Sequence, residues 1–163
     1  MNIQIKILGS DDIALADDLA HIMISAWRAG FRNILLDAII EKYTGFQPCA
    51  DMFRKILASG TGTMYLAQAN GQAAGLLYWL DDGEIARIEA LLTVPEVWGK
   101  GIASALIEQA LADTVNFRCI TVWPFSKNHR ARRFYEKHSF TPTGRCRMGD
   151  AAEVEYLRTR ITT

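Results

Sequence analysis

Asn128-His129-Arg130-Ala131-Arg132-Arg133-Phe134-Tyr135-Glu136-Lys137-His138-Ser139-Phe140 is the most informative stretch of this 163-residue chain. Ala131, Phe134, Tyr135 and His138 recur at the spacing of one helical face, which predicts a helix from Asn128 to about His138. Seven residues at about 100° each fall about 20° short of two turns, so Asn128 and Tyr135 share a face, about 10 Å apart along the axis. An Asn near the helix start and a Tyr two turns on can touch two parts of one extended ligand. The competing reading makes Phe134 and Tyr135 core aromatics, and Phe134 is assigned there.

Upstream lies Pro95-Glu96-Val97-Trp98-Gly99-Lys100-Gly101-Ile102-Ala103-Ser104. Here a predicted strand ends, a Gly-rich turn follows and a helix begins. Two glycines let backbone approach a ligand with no Cβ in the way. The helix that follows leaves its first amides unpaired, a site suited to phosphate. An ordinary strand-to-helix turn would read the same. A Walker A loop is excluded because Gly101 follows Lys100, and GxGxxG is excluded because residue 104 is Ser.

Outward from these segments the chain alternates between two periods. Ile3, Ile5 and Ile7 predict a half-buried strand. Ser10 is the expected cap of a helix carrying Ile13, Ala16, Leu19, Met23 and Ala26, running to about Arg28. Residues 34–42 and 48–58 also read as helical, the second bracketed by Pro48 and Gly60. Thr63 to Ala69, Asn70-Gly71, Gln72 to Leu80, a turn at 81–83 and Glu84 to Val94 predict a three-strand meander. Ile102 to about Val115 is an expected helix, Phe117 to Val122 a strand, and 143–148 and 153–161 the closing strands. The order β, helices, βββ, α, β, α, ββ implies an α/β (α+β) chain with a mixed sheet and helices on both sides.

No repeat or linker appears, so a single domain, 1–163, is expected. Half the residues are apolar and 22% are charged, which excludes disorder. The net charge is zero, which speaks against a nucleic-acid partner. Residues 1–98 nevertheless carry a net −5 and residues 99–163 a net +5, with seven bases and one acid, Glu136, between Lys127 and Arg147. That asymmetry fits either a polyanionic ligand on the second half or a solvated charged face. Cys49, Cys119 and Cys146 form no CxxC or Cys/His cluster, so no disulfide framework and no metal site is expected, and three thiols fit a reducing cytoplasm. Cys119, on a predicted strand, reads as a small core residue. No signal peptide is read, and the longest apolar stretch, Ala73 to Leu80, is too short to span a bilayer, so no membrane partner is expected.

The 128–140 segment resembles motif B of the GNAT superfamily of N-acetyltransferases, in which an Asn opens the helix, a small residue follows three later, and a Phe-Tyr pair comes next. The 98–103 turn then resembles motif A, (Q/R)-x-x-G-x-(G/A), with Gly101 and Ala103 in the last two fixed places. The similarity covers roughly residues 60–160. Trp98 stands where the family usually has Gln or Arg. Ser139 stands where it usually has Gly before the Phe, so a positive φ there would strain Ser by about 1–2 kcal/mol.

The resemblance implies a GNAT-like, mostly antiparallel sheet and acetyl-CoA between the diverging strands 84–94 and 117–122. It implies that backbone groups of Leu92, Thr93 and Val94 meet the pantetheine arm, and amides from Gly99, Lys100, Gly101, Ile102, Ala103 and Ser104 the pyrophosphate. Asn128 and Tyr135 line the cofactor site, and Lys127, Arg130, Arg132 or Arg133 reaches the 3′-phosphate. Trp27 and Phe31 shape the acceptor pocket or join the core. The expected reaction is direct acetyl transfer, through a ternary complex, to a primary amine of a small molecule or peptide. Such an amine is about 0.04% neutral at pH 7, a cost of about 4.6 kcal/mol, so a base helps. Glu89 is the candidate base, Glu84 a weaker one at a turn, and Tyr135 the acid that protonates the leaving thiolate. A longer acyl group, a non-catalytic acyl-CoA-binding sensor or interaction module, and a homodimer complete the alternatives.

Overall fold

A computed structural model describes residues 1–160, and its seven strands form one sheet in the order β1-β2-β3-β4-β5-β7-β6. These are β1 (Ile3–Leu8), β2 (Thr63–Ala69), β3 (Gln72–Asp82), β4 (Ile85–Thr93), β5 (Cys119–Val122), β6 (Thr141–Met148) and β7 (Ala152–Thr159). The helices are α1 (Ala16–Gly30), α2 (Asp37–Tyr43), α3 (Phe46–Ser59), α4 (Ile102–Asp113) and α5 (His129–Lys137). The mixed architecture is the expected one, and only the β4–β5 pair is parallel. The expected end of the last strand, residue 161, lies outside the described residues.

Two apolar layers hold the sheet. Leu106 and Ile107 of α4 and Tyr135 of α5 pack on one face with Leu77, Ile88, Ile120 and Tyr156. Leu19 and Met23 of α1 and Phe53 of α3 pack on the other with Leu66 and Leu76. A large apolar side chain contributes about 1.5–3 kcal/mol when fully buried. The approach of α4 is close: a Cβ on Gly75 of β3 would lie 3.0 Å from Ile102 Cγ2 and 3.1 Å from Leu106 Cδ1. The β2–β3 hairpin turns through Asn70 and Gly71, both at positive φ (51° and 81°), the requirement that makes Asn-Gly a hairpin signal.

The helix start at Ser10 is corrected. Asp12 takes a Gly9 N–H at 2.9 Å and Lys6 Nζ at 2.8 Å, and its own φ of −108° interrupts the helical path. Residues 10–15 therefore form a 3₁₀ turn, Ile13 is exposed, and the α-helix begins at Ala16.

Candidate active site

The sheet opens between its two parallel strands. β4 and β5 pair only from Ile85↔Cys119 to Ile88↔Val122. Beyond that point β4 stays with β3 as far as Gly75↔Thr93, while the segment after β5 stays with β7, through the Phe125↔Glu153 bridge and the Val154 N–H to Pro124 bond. A bulge in β4 at Glu89, where the register shifts from Trp79↔Ile88 to Tyr78↔Ala90, adds a residue and bends the strand. A wedge-shaped gap results, with α4 following one wall and α5 the other.

Backbone alternation decides what β4 offers to this gap. The Val94 N–H donates to Ala74 O at 2.9 Å, which makes 94/74 a hydrogen-bonded pair. By the two-residue repeat of an antiparallel ladder Leu92 also bonds toward β3, whereas Leu91 and Thr93 turn their groups away from it. Of the expected trio Leu92, Thr93 and Val94, then, only Thr93 turns its backbone to the gap, and Leu91 joins it. The Thr93 carbonyl already accepts the Trp98 indole N–H at 3.1 Å.

At the mouth stands the 98–104 turn. Gly99 and Gly101 hold φ of 76° and 88°, values that favour glycine. The Lys100 amide is spent on Val97 O at 3.1 Å, so it leaves the expected set. The first helical bond runs from Ala105 N–H to Gly101 O, leaving Ile102, Ala103 and Ser104 as first-turn donors. Gly99 and Gly101 amides donate to no backbone carbonyl outside the regular elements among the described residues. A Cβ on Gly101 would meet nothing within 4 Å, so the space over the turn is open.

Across the gap, Asn128 caps α5, its Oδ1 accepting the Ala131 N–H at 3.1 Å. Its side-chain oxygen is therefore occupied by the helix. Tyr135 is buried and Phe134 only half-buried, the reverse of the expected division between core and ligand. Tyr135 packs against Phe134, Phe140 and Tyr156 with ring centroids 5.3, 5.5 and 6.5 Å away. Its hydroxyl has no hydrogen-bond partner among the described residues, yet is not among the side-chain atoms sealed from solvent. Burial pushes the phenol above its ordinary value, so it keeps its proton.

The basic side chains divide sharply. Arg132 is committed to the Tyr156 hydroxyl at 3.1 Å and the Ser126 carbonyl at 2.9 Å, and Tyr156 donates on to Glu136 at 2.8 Å. Arg132 is thus a strut between α5 and β7. Arg130 lies 3.8 Å over the Trp98 ring, and desolvation lowers its value. This cation–π contact ties α5 to the Gly-rich turn. No short-range pattern announces it, since the two residues are far apart in sequence. Ser104 and His138, 3.3 Å apart, make a second tie between the helices. Desolvation also lowers His138.

Glu89 is exposed and accepts from Arg87 Nε, while Arg87 Nη1 donates to Asp82 at 3.1 Å. Glu84 is paired with Arg118 at 3.4 Å on an exposed turn. Cys119 is buried, as expected of a core residue. Trp27 and Phe31 meet edge-on at 5.1 Å, as do Phe31 and Phe125 at 5.1 Å, fixing the loop after α1 against the segment leading to α5.

Known proteins share this fold. The pattern of the Acetyltransferase (GNAT) family matches residues 24–140. An uncharacterised N-acetyltransferase of Mycobacterium bovis is 26% identical over 151 residues, covering 89% of this chain and 96% of that protein. The PaiA N-acetyltransferase of Thermoplasma acidophilum, solved with coenzyme A, superposes with a TM-score of 0.76 at 17% identity, over 95% of this chain and 98% of that one. YjaB of Escherichia coli, in its apo form, superposes at 0.69 with 22% identity, over 96% and 97%.

Proposed function

Because the chain belongs to the GNAT family of acetyltransferases, we propose that residues 1–163 act as one domain that moves an acetyl group from acetyl-CoA to a primary amine of a small molecule or peptide. The observation that carries this reading is the gap beyond Ile88 and Val122, with unspent amides at the start of α4 and the unpartnered Tyr135 hydroxyl on α5. The residues present fit the cofactor: open space over Gly101 leaves room for a phosphate against the amides of Gly99, Gly101, Ile102, Ala103 and Ser104. The solved coenzyme A complex of the Thermoplasma protein adds support.

Acetyl-CoA supplies the thioester carbonyl. Backbone groups of Leu91 and Thr93 hold the pantetheine arm, and Asn128 offers its remaining amide donors. Arg130, flattened on Trp98, brings its guanidinium beside the turn. Glu89, released from Arg87, takes the proton of the attacking amine, directly or through water. An N–H on the open edge of β4 meets the oxyanion. Tyr135 donates its proton to the departing thiolate, and no acyl-cysteine forms. Three free thiols support a reducing, cytoplasmic setting for this work.

Released thiol, measured with acetyl-CoA and a panel of primary amines, tests the proposal. Amine-dependent release supports it. Tight acetyl-CoA binding with no release from any amine would instead make the chain an acyl-CoA sensor or interaction module.

A further inference from the structure

On the wall of the gap that continues from β5, the loop after α1, the segment that leads into α5 and the β6–β7 turn converge on a cavity of about 310 Å³ lined by Ile34, Ser126, Lys127, Met148, Ala151 and Ala152. Four of these side chains are apolar, and no acid lines the space. Asp150, at the tip of the β6–β7 turn, is exposed outside it. Met148 is 77% exposed and nearby Leu36 73%, so large apolar side chains stand uncovered in the segments that form it.

The polar groups of the cavity are nearly all spent. The Ser126 N–H donates to Ala152 O at 2.7 Å, and the Ser126 carbonyl accepts from Arg132. The Lys127 ammonium is exposed and has no ion pair among the described residues. It sits just before the start of α5, where the helix dipole adds positive potential. A guest that matches this lining brings an apolar body and one negative charge. A second ammonium would meet Lys127 with nothing to offset the repulsion.

Resting on the acetyltransferase reading, we propose that the acceptor is a primary amine whose apolar body carries a carboxylate, the chemistry of a hydrophobic amino acid. Its side chain sits against Ile34 and Met148, and its carboxylate meets Lys127. The Phe31–Phe125 contact holds two of the walls together.

Four amines with acetyl-CoA test this by released thiol: L-leucine, 3-methylbutylamine (the same body without the carboxylate), glycine (the carboxylate without the body) and 1,4-diaminobutane. L-Leucine is expected to exceed each of the others in kcat/KM by about tenfold or more, the weight of one charge-assisted contact or one buried side chain. Lys127→Ala should collapse the preference for L-leucine over 3-methylbutylamine toward unity, with the loss in the KM of the amine and not of acetyl-CoA. Ile34→Asp should cut L-leucine more than glycine. Preference for 3-methylbutylamine or 1,4-diaminobutane overturns the proposal while leaving acetyl transfer intact. So does a Lys127→Ala effect confined to the KM of acetyl-CoA, which would assign the ammonium to the cofactor. Acetyl-CoA binding without turnover of these four or any wider set of amines would sink the acetyl-transfer reading itself.

Discussion

The turn at 98–104 and helix α5 face one another across the same gap but are built on opposite principles. The turn works through backbone. Its two glycines hold left-handed conformations, its donors are amides, and the space above it is clear. Helix α5 works through side chains, and three of them are committed: Asn128 Oδ1 to the cap, Arg132 to Tyr156 and Ser126, Arg130 to the Trp98 ring. The Tyr135 hydroxyl has no partner among the described residues. A backbone site tolerates changes of side chain but not of conformation. A side-chain site loses its chemistry when one atom is removed.

Removing that atom has the largest expected effect. Tyr135→Phe keeps the ring against Phe134, Phe140 and Tyr156, so packing and coenzyme A affinity should hold. A general acid contributes about 10²–10⁴-fold, and turnover should fall by that much with chemistry rate-limiting. A thiol protonates near pH 8.5, so the penalty should ease as pH falls and solvent supplies the proton. Turnover within about twofold of the parent would reduce Tyr135 to a packing residue and erase the contrast with the turn.

The turn itself should fail through conformation. Gly101→Val introduces no clash with the protein, since a Cβ there meets nothing within 4 Å. At φ 88° the branched residue costs about 1–2 kcal/mol and stands over the first-turn amides. That strain weakens the fold in free and bound protein alike, while loss of one amide–phosphate bond weakens binding by about 1.5–3 kcal/mol. Coenzyme A affinity, read by calorimetry, should drop by about 10- to 150-fold, and Gly101→Ala should fall between. A folded Gly101→Val variant with unchanged affinity would remove the cofactor from this turn.

The two regions meet at Arg130 and Trp98, where the expected loss is smaller. A cation–π contact is worth about 0.5–2 kcal/mol. Arg130→Ala and Trp98→Leu should each weaken coenzyme A by about 3- to 30-fold. Because Arg130 stacks on the first residue of the turn, dephospho-coenzyme A should weaken equally, which marks the pyrophosphate as its target. A loss seen only with coenzyme A would move Arg130 to the 3′-phosphate.

The same contrast explains what could be read from the sequence. Both helices, the hairpin at Asn70-Gly71 and the Gly-rich turn are local patterns, and local periodicity located them. Register is not local. A strand such as Glu84–Val94 reveals its alternation but not which phase bonds to which neighbour. The bulge at Glu89 adds a residue there, which is why Leu91 stands with Thr93 where Leu92 and Val94 were expected. The Ser10 cap failed for a related reason. Lys6 and the Gly9 amide claim Asp12 and close a turn before the helix can start. The basic residues of α5 looked equivalent because their partners, Tyr156 and Trp98, lie on other elements.

One departure from the family pattern was legible in full, and it gives the smallest expected effect. Ser139 holds φ 69°, the left-handed value that the usual Gly adopts without cost. It ends α5 in a Schellman arrangement: its N–H donates to Glu136 O at 3.1 Å, and the Phe140 N–H donates to Tyr135 O at 3.0 Å. Its hydroxyl has no partner among the described residues and its side chain is exposed, so nothing in the contacts offsets the strain of about 1–2 kcal/mol. Ser139→Gly relieves that strain but adds freedom to the unfolded chain, worth about 0.4–1 kcal/mol. The net should be a gain of about 0.5–1 kcal/mol, a rise in Tm of roughly 1–4 °C for a domain of this size. Phe140 is 1% exposed and anchors the turn whichever residue precedes it, so turnover should not change. An unchanged or lower Tm would mean that Ser139 contributes an interaction as large as the strain it bears. A gain in Tm accompanied by lost turnover would mean that the strained end of α5, and not its packing alone, sets the position of Tyr135.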